Sequence, residues 1–294
     1  MKSNFVTLAP LVLILALLLG GCATSSETGK NGSRTKAPES IETLQATLWV
    51  QHAIEYKAIT SETYQSATEN LETYLADSTF TAAVEQQGEY TSKPPAVILD
   101  VDETVLDNSP YQARMIRRQE SYSSASWADW VNEAKADPVP GALDFTQAAD
   151  RKGITVFYLT NRDHSLEPAT RKNLKELGFP LQKIDSQQIG DVILTNGEKP
   201  NWNSSKIERR AAIASHYRVL MLIGDDFNDL MPAKGKSLEE RVQLFEEHES
   251  KLGSFWFILP NPVYGSWESS MMDEYPEMEA GELDVKRKLL NPKQ

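Results

Sequence analysis

The chain contains one segment in which a continuous apolar run meets a group of acidic residues: Ala96-Val97-Ile98-Leu99-Asp100-Val101-Asp102-Glu103-Thr104. Short, continuous apolar runs are typical of strands that are buried on both faces, as in a parallel sheet. Side chains at positions i and i+2 leave an extended strand on the same side. We therefore expect Asp100 and Asp102 to lie side by side where this buried strand ends.

Four further apolar runs follow, and each ends in polar or turn-forming residues; they cover residues 154–159, 192–194, 219–223 and 255–259. Helical patterns lie between the five runs, at residues 142–151, 168–177, 205–216 and 238–252. This alternation of strand and helix predicts an α/β fold with a doubly wound parallel sheet. Ahead of the sheet, residues 41–87 show helical periodicity, and Ser40 is the expected N-cap.

The connection between the first and second apolar runs is longer than a simple crossover needs. It carries its own helix signals, because Ser126 with Asp129 three residues later resembles a capping box. We therefore expect a single α/β domain over residues 40–294. A small, mostly helical cap would be contributed by residues of about 40–92 and 109–140.

The N-terminal residues are typical of a targeting segment. The apolar run at residues 5–19 is too short to cross a bilayer, which needs about 20 residues, and suits a secretory signal. Two glycines then precede Cys22, as in a bacterial lipobox. We expect a lipoprotein signal peptide over 1–21, lipidation of Cys22 and a flexible tether over 22–39. The next residue is Ala23 and not Asp, which by resemblance to such lipoproteins favours sorting to the outer membrane.

The composition excludes several classes of function. The chain has 30 Lys and Arg residues and 42 Asp and Glu residues, which gives a net charge of −12. This negative charge disfavours binding to nucleic acid. A single cysteine excludes a disulfide framework and a cysteine-rich zinc site. The four histidines share no short ligand spacing, so they do not support a zinc site either.

Polar residues that follow the strands are the candidates for chemistry, because ligands bind beyond the carboxyl ends of the strands in an open α/β sheet. The carboxylates of Asp100, Asp102 and the Gly224–Asp229 run suit a hard cation such as Mg²⁺. The hydroxyl and backbone N–H groups of Thr160-Asn161-Arg162 suit an anion. Lys206 stands at the head of a predicted helix, and Arg162 is either an additional positive charge near the anion or half of a surface salt bridge.

Together these motifs resemble the haloacid dehalogenase (HAD) superfamily, in which they occur in this order. Residues 98–111, 157–162 and 259–268 resemble more narrowly the class C nonspecific acid phosphatases. These are bacterial secreted or outer-membrane lipoproteins, and they include lipoprotein 5′-nucleotidases. The resemblance covers about residues 41–267 and the lipobox. One departure lies at Asp226 and Asn228, where members of the family often carry Asn and Asp instead.

The resemblance implies a role for each matched residue. Asp100 would be the nucleophile that forms an aspartyl-phosphate, and Asp102 would be the general acid and then the general base. Mg²⁺ would be bound by the side chains of Asp100 and Asp225, the backbone carbonyl of Asp102, and Asp229 through a water. The phosphoryl oxygens would be bound by Thr160, Asn161 and Lys206.

Aromatic residues provide candidates for substrate recognition. Tyr264, Tyr111 and Trp127 could stack on a nucleobase, as could Trp130 and Trp267. The alternative for each of them is packing in the core or the cap. Tyr264 is the first choice, because its loop resembles the family segment that lines the substrate pocket.

The resulting hypothesis is a Mg²⁺-dependent acid phosphatase or 5′-nucleotidase that acts on small phosphomonoesters. It would be anchored to the outer membrane through its lipid, on the periplasmic or cell-surface face. Two alternatives stay open: a lipid-anchored binding protein without turnover, and a phosphotransferase that passes the phosphoryl group to an alcohol. The preferred ester and the oligomeric state are also open.

Overall fold

The computed structural model describes residues 42–185, 189–274 and 282–293. The predicted signal peptide, the lipidated Cys22, the tether and the N-cap Ser40 lie outside these residues and stay predictions. Within the described ranges, none of the helices is both long enough and apolar enough to cross a membrane.

A sheet of five parallel strands lies at the centre of the domain. Its strands are β1 Pro95–Leu99, β4 Thr155–Asp163, β5 Ile193–Asn196, β6 Arg218–Gly224 and β7 Trp256–Ile258. They stand in the order β5-β4-β1-β6-β7, and every neighbouring pair is parallel. Two short strands, β2 Leu106–Asp107 and β3 Asp137–Pro138, form a separate antiparallel pair. The five apolar runs therefore form the predicted parallel sheet.

Helices flank this sheet, as the doubly wound prediction requires. Their bounds are α1 Leu44–His52, α2 Ile54–Ala76, α3 Ser109–Arg118, α4 Ser124–Glu133, α5 Ala142–Arg151, α6 Glu167–Leu177, α7 Ile207–His216, α8 Phe227–Leu230, α9 Leu238–His248, α10 Ser266–Asp273 and α11 Glu282–Leu289. The four helices predicted between the strands are α5, α6, α7 and α9. The last of them is shorter than expected, because a 3-10 turn replaces it at Glu249–Lys251.

The helical pattern predicted over residues 41–87 is divided. Ala53 has an extended backbone between α1 and α2. The helix α2 ends at Ala76, and the carboxylate of its C-cap Asp77 accepts hydrogen bonds from Thr79. Tertiary packing explains the break, because α1 packs against α3 whereas α2 packs against α5, β6 and β7. The helix α2 thus belongs to the layer that covers the sheet, although the sequence suggested a contribution to the cap.

The insertion after β1 contains the helices α3 and α4. Ser126 is not the N-cap that the sequence suggested. Ser123 has the extended backbone of a cap, and its Oγ accepts the N–H of Ser126, 3.1 Å away. From inside α4, Trp130 is buried and donates from Nε1 to Asn108 Oδ1 over 2.8 Å. This bond ties α4 to the segment that follows the acidic end of β1.

Candidate active site

The candidate site lies at the topological switch point of the sheet. From β1 the chain builds outwards through β4 to β5, and then returns to add β6 and β7 on the other side of β1. Ligands bind where the strand order reverses, beyond the carboxyl ends of the strands. A cleft of about 1040 Å³ lies there, and its lining includes Asp100 after β1 and Asp225 after β6.

Asp100 and Lys206 form a buried ion pair in this cleft. Asp100 is 8% exposed and Lys206 4%. The Lys206 ammonium donates to Asp100 Oδ1, and also to Asp229 Oδ1 at 2.6 Å. The pKa of Asp100 is raised to about 7, chiefly by burial. The charge of Lys206 lowers this pKa, whereas the charges of Asp229 and Asp102 raise it. Burial disfavours the charge on Lys206, but the two carboxylates outweigh it and raise the lysine pKa.

A cluster of three carboxylates could hold a cation. One oxygen each of Asp100, Asp225 and Asp229 lies within 4.8 Å of the others. Burial raises the pKa of Asp225 well above its ordinary value, and the charges of Asp100 and Asp229 raise it further. Such a cluster is unfavourable without positive charge beside it. Three converging carboxylate oxygens fit a hard divalent cation, and Lys206 alone supplies one positive charge to them.

The residues around Asp225 and Asp229 explain how the second acidic motif folds. Thr104 Oγ1 and Asn261 Nδ2 donate to the two oxygens of Asp225, at 3.1 and 2.8 Å. Asp229 Oδ2 accepts the backbone N–H of Asp226 at 3.0 Å. A Cβ on Gly224 would lie 2.3 Å from the Asp229 side chain, so only glycine leaves room for this arrangement.

Asp226 occupies one of the two positions, with Asn228, at which this chain departs from the family pattern. Its carboxylate caps α8 through the N–H of Asn228 and accepts the N–H and Oγ of Ser266 at 2.6 and 2.5 Å. Asp226 therefore joins the turn that carries Asp225 and Asp229 to the start of α10, and its carboxylate is occupied by these contacts.

Asp102 is held mainly by Arg162. The guanidinium donates from Nε and Nη2 to Asp102 Oδ1 at 3.0 and 2.8 Å. Asn108 Nδ2 donates to the same oxygen at 2.9 Å, and Thr160 Oγ1 donates to Asp102 Oδ2 at 3.2 Å. Arg162 is 3% exposed, so it is neither half of a surface salt bridge nor a free charge in the cleft.

The predicted phosphate-binding residues lie near one another, and each contacts protein groups. Thr160 contacts Asp102 as described. Asn161 donates from Nδ2 to Ser204 O at 3.1 Å, and its Oδ1 accepts from Arg209 Nη2 at 2.6 Å. Asn161 thereby connects the end of β4 to the loop that presents Lys206. Both Asn161 and Lys206 line the cleft together with Asp100.

The aromatic candidates lie in different environments. Tyr264 and Trp127 line the cleft and are half-buried. Tyr111 also borders the cleft but is 1% exposed, and its ring packs edge-on against Trp127 with 5.1 Å between centroids. Trp130 is buried and donates to Asn108, so it packs inside the protein and is not available to stack on a base. Trp267, at the rim of the cleft, is 40% exposed.

Sequence reasoning missed Glu103 and Arg209. Glu103 is buried with a left-handed backbone (φ 56), and burial raises the pKa of its carboxyl to about 8, with Asp102 raising it further. Arg209 is buried and donates to the carbonyl of Thr160 as well as to Asn161; burial lowers its pKa to about 10. The sequence gives no signal for the burial of Arg209, because Arg209 and Arg210 are simply two adjacent arginines on a helix. Glu103 could have been found, because it lies within the acidic run Asp100–Thr104 that the sequence analysis singled out.

Comparison with known proteins places this site in a family. The model of the HAD superfamily, subfamily IIIB (Acid phosphatase), matches residues 24–267. The chain therefore belongs to the HAD superfamily and, within it, to the subfamily IIIB acid phosphatases.

The solved structures agree with the family model. The class C acid phosphatase from Bacillus anthracis is 32% identical, with a TM-score of 0.73 over 86% of this chain and 98% of that chain. A second structure of it, with tungstate bound, is 31% identical over the same shares, with the same TM-score. The resemblance to class C acid phosphatases, inferred from the motifs, is confirmed.

Curated relatives are more distant. Acid phosphatase 1 of Solanum lycopersicum is 28% identical over 170 residues, which are 57% of this chain. The stem 31 kDa glycoprotein of Glycine max is 26% identical over 167 residues, also 57% of this chain. The chain spans 57% and 58% of the lengths of these two relatives.

Proposed function

We propose that this protein is a phosphomonoesterase that works through an aspartyl-phosphate on Asp100. The observation that carries the proposal is the pairing of two different carboxylates at the end of β1. Asp100 is buried against Lys206, whereas Asp102 lines the same cleft and is held by Arg162. Two carboxylates in unlike environments suit a nucleophile and an acid/base, respectively.

In the first step an oxygen of the Asp100 carboxylate attacks the phosphorus. The bond from phosphorus to the leaving oxygen breaks, and a protonated Asp102 gives its proton to that oxygen, so that a neutral alcohol leaves. In the second step Asp102 takes a proton from water as the water oxygen attacks the phosphorus. The bond to Asp100 breaks, and inorganic phosphate is released with both aspartates restored.

The charge of the phosphoryl group needs a local positive environment, because the chain carries a net charge of −12 and repels anions at a distance. Lys206 supplies one charge beside Asp100. We propose that Mg²⁺ supplies the rest. Asp100, Asp225 and Asp229 would hold it, and its charge would stabilise the phosphoryl oxygens in the transition state.

The proposed substrates are small phosphomonoesters, among them nucleoside 5′-monophosphates. Aromatic faces stack on any base, and Tyr264 and Trp127 line the cleft that contains Asp100. We also propose that the protein is an outer-membrane lipoprotein anchored at Cys22, on the strength of the lipobox resemblance alone.

Two other functions predict different products. A binding protein without turnover would have no use for an acid/base at Asp102. A phosphotransferase would use the same aspartyl-phosphate but pass the group to an alcohol instead of water. With an added nucleoside as acceptor, new phosphorylated product would indicate transfer, whereas inorganic phosphate alone would indicate hydrolysis.

The test of the proposed function is phosphate release by the soluble chain that begins at Ala23. Wild type and Asp100→Asn would be compared on a nucleoside 5′-monophosphate and on p-nitrophenyl phosphate, each with Mg²⁺ or with EDTA. We expect turnover that requires Mg²⁺ and disappears in the variant. A folded wild type without turnover on either ester would contradict the proposal, and turnover retained in EDTA would contradict the requirement for a divalent cation.

A further inference from the structure

We propose that Arg162 is a positioning residue for Asp102 and does not bind the substrate phosphate. The inference deepens the proposed function and rests on it, because it assigns the residue that sets the geometry of proton transfer. An arginine next to a phosphate-binding motif would ordinarily be taken for a phosphate ligand, since its planar fork matches phosphate oxygens. The contacts of Arg162 indicate instead that it holds Asp102.

All three guanidinium nitrogens of Arg162 already have protein partners. Nε and Nη2 donate to Asp102 Oδ1 at 3.0 and 2.8 Å, and Nη2 also approaches Asn108 Oδ1 at 3.4 Å. Nη1 donates to Thr170 Oγ1 at 3.0 Å. The Arg162 side chain is 2% exposed, and Trp127 covers it with its ring centroid 5.6 Å from Cζ. A phosphate ligand would need donors directed at the cleft, whereas these are directed at Asp102.

Asp102 is held from a second direction by the cap. Asn108 Nδ2 donates to Asp102 Oδ1 at 2.9 Å. The other amide atom of Asn108, Oδ1, accepts from Trp130 Nε1 in α4 at 2.8 Å. The Asp102 carboxylate is therefore fixed between a buried arginine on β4 and an amide that the cap orients. Both residues border the cleft, but the Asp102 side chain keeps 18% exposure whereas the Arg162 side chain keeps 2%, so Asp102 is the more accessible of the two.

Fixed geometry matters most for a proton donor. A proton passes efficiently only when donor and acceptor are within hydrogen-bond reach, and a displacement of about 1 Å costs on the order of a hundredfold in rate. The loss depends on the leaving group. An alkoxide leaves poorly unless it is protonated, whereas p-nitrophenolate leaves well without a proton. A phosphate ligand would instead affect both kinds of ester alike.

The experiment uses Arg162→Lys and Arg162→Ala in the chain from Ala23, assayed with Mg²⁺ on glycerol phosphate and on p-nitrophenyl phosphate. The matched control is Arg218→Lys. Arg218 is another buried arginine on a strand, and it donates to the backbone carbonyls of Tyr74, Leu75 and Asp77. Inhibition by inorganic phosphate is measured for every variant. A second readout is rescue of Arg162→Ala by added guanidinium, which would refill the vacated site.

We expect Arg162→Lys to lower kcat on glycerol phosphate by about a hundredfold, with a much smaller loss on p-nitrophenyl phosphate. Inhibition by inorganic phosphate should stay within about twofold of wild type, and guanidinium should restore glycerol phosphate turnover in Arg162→Ala. Arg218→Lys should show no dependence on the leaving group. If Arg162→Ala does not fold, Arg162→Lys decides the question alone.

Two results would overturn the positioning role while leaving the proposed function intact. One is an equal loss on both esters, which would indicate a general structural defect. The other is weakened inhibition by phosphate with kcat retained, which would make Arg162 a phosphate ligand. Failure of the proposed function is distinguishable from both, because it appears as a wild type that hydrolyses neither ester.

Discussion

The hydroxyl of Tyr264 donates a hydrogen bond to the Glu103 carboxylate, although 161 positions separate the two residues. Glu103 also accepts the N–H of Asn108 at 2.9 Å, so its carboxylate is fixed on the side of the β1 motif. The contact joins Tyr264 to the residue that follows Asp102, and Tyr264 lines the same cleft as Asp100 and Asp102. It therefore connects the proposed base-stacking residue to the segment that carries the two proposed catalytic aspartates.

This contact leads to a prediction about substrate selection. Stacking of a base on an aromatic ring contributes about 1–3 kcal/mol. We expect Tyr264→Ala to raise KM for a nucleoside 5′-monophosphate by roughly tenfold or more, with little change for glycerol phosphate. Tyr264→Phe keeps the ring but loses the bond to Glu103, and should fall between wild type and Tyr264→Ala. Steady-state kinetics with both esters test this, and equal changes for the two would argue against stacking.

A second prediction concerns the charge of Lys206. Removal of one partner from a buried ion pair leaves an uncompensated charge and destabilises by about 3–5 kcal/mol. Lys206→Met leaves Asp100 and Asp229 facing each other, so we expect a loss of this size in the free energy of unfolding in EDTA. Lys236→Met is the control, because its pair with Glu240 is exposed to solvent and should contribute little to stability. Urea denaturation measures both, and equal small losses would mean that the buried pair does not stabilise the site.

A third prediction tests the turn that places Asp229. Gly224→Ala puts a Cβ 2.3 Å from the Asp229 side chain, which must then move away from Lys206. We expect the variant to lose stabilisation by Mg²⁺ in thermal unfolding as well as turnover. Gly153→Ala is the comparison, since it introduces strain at φ +74 with no atom within 4 Å of the new Cβ. Stabilisation by Mg²⁺ that survived in Gly224→Ala would show that Asp229 does not help to bind the cation.

The raised carboxyl pKa values predict how stability varies with pH when no metal is bound. Burial raises the pKa of Asp100 to about 7 and of Glu103 to about 8, whereas both pKa values are about 4 in an unfolded chain. Between these limits the folded state binds more protons than the unfolded state, so stability falls as pH rises. In EDTA, the free energy of unfolding should be lower at pH 8 than at pH 5, and Glu103→Gln should reduce the difference.

Divalent cations should alter this pH dependence. Binding requires deprotonated carboxylates, so Mg²⁺ should stabilise the protein more at pH 8 than at pH 5. Thermal unfolding with and without Mg²⁺ at the two pH values measures the effect. Stability that rises with pH in EDTA would contradict the raised pKa values, and equal stabilisation by Mg²⁺ at both pH values would contradict binding through these carboxylates.

The strands and the positions of the acidic motifs were predictable from the sequence for one physical reason. A strand buried on both faces needs a continuous apolar run, and the polar residues of such a chain collect where the runs end. The runs before Asp100, Thr160 and Asp225 are of this kind. Parallel strands bring those ends to one edge of the sheet, so the sequence order of the motifs implied their proximity.

The rest depends on tertiary neighbours that no local pattern encodes. Arg162 and Arg209 are buried because carboxylate, amide and carbonyl groups from distant segments accept their hydrogen bonds. The helical pattern breaks at Ala53 without a proline or glycine that would have predicted it. The break follows from the different packing partners of α1 and α2. Ser123 and Ser126 are equally good caps in composition, so only the backbone conformation distinguishes them.

The central claim is that the phosphoryl group passes through Asp100, and trapping that group tests it most directly. The chain from Ala23 would be mixed with a phosphomonoester and Mg²⁺, quenched in acid within the first turnovers, digested and examined by mass spectrometry. Asp102→Asn with p-nitrophenyl phosphate would serve as a second sample, since this leaving group departs without a proton while loss of the base should slow the second step and accumulate the intermediate. We predict one added phosphoryl group on the peptide that contains Asp100, and none in Asp100→Asn. Turnover without this modification, or the phosphoryl group on another residue, would contradict the account.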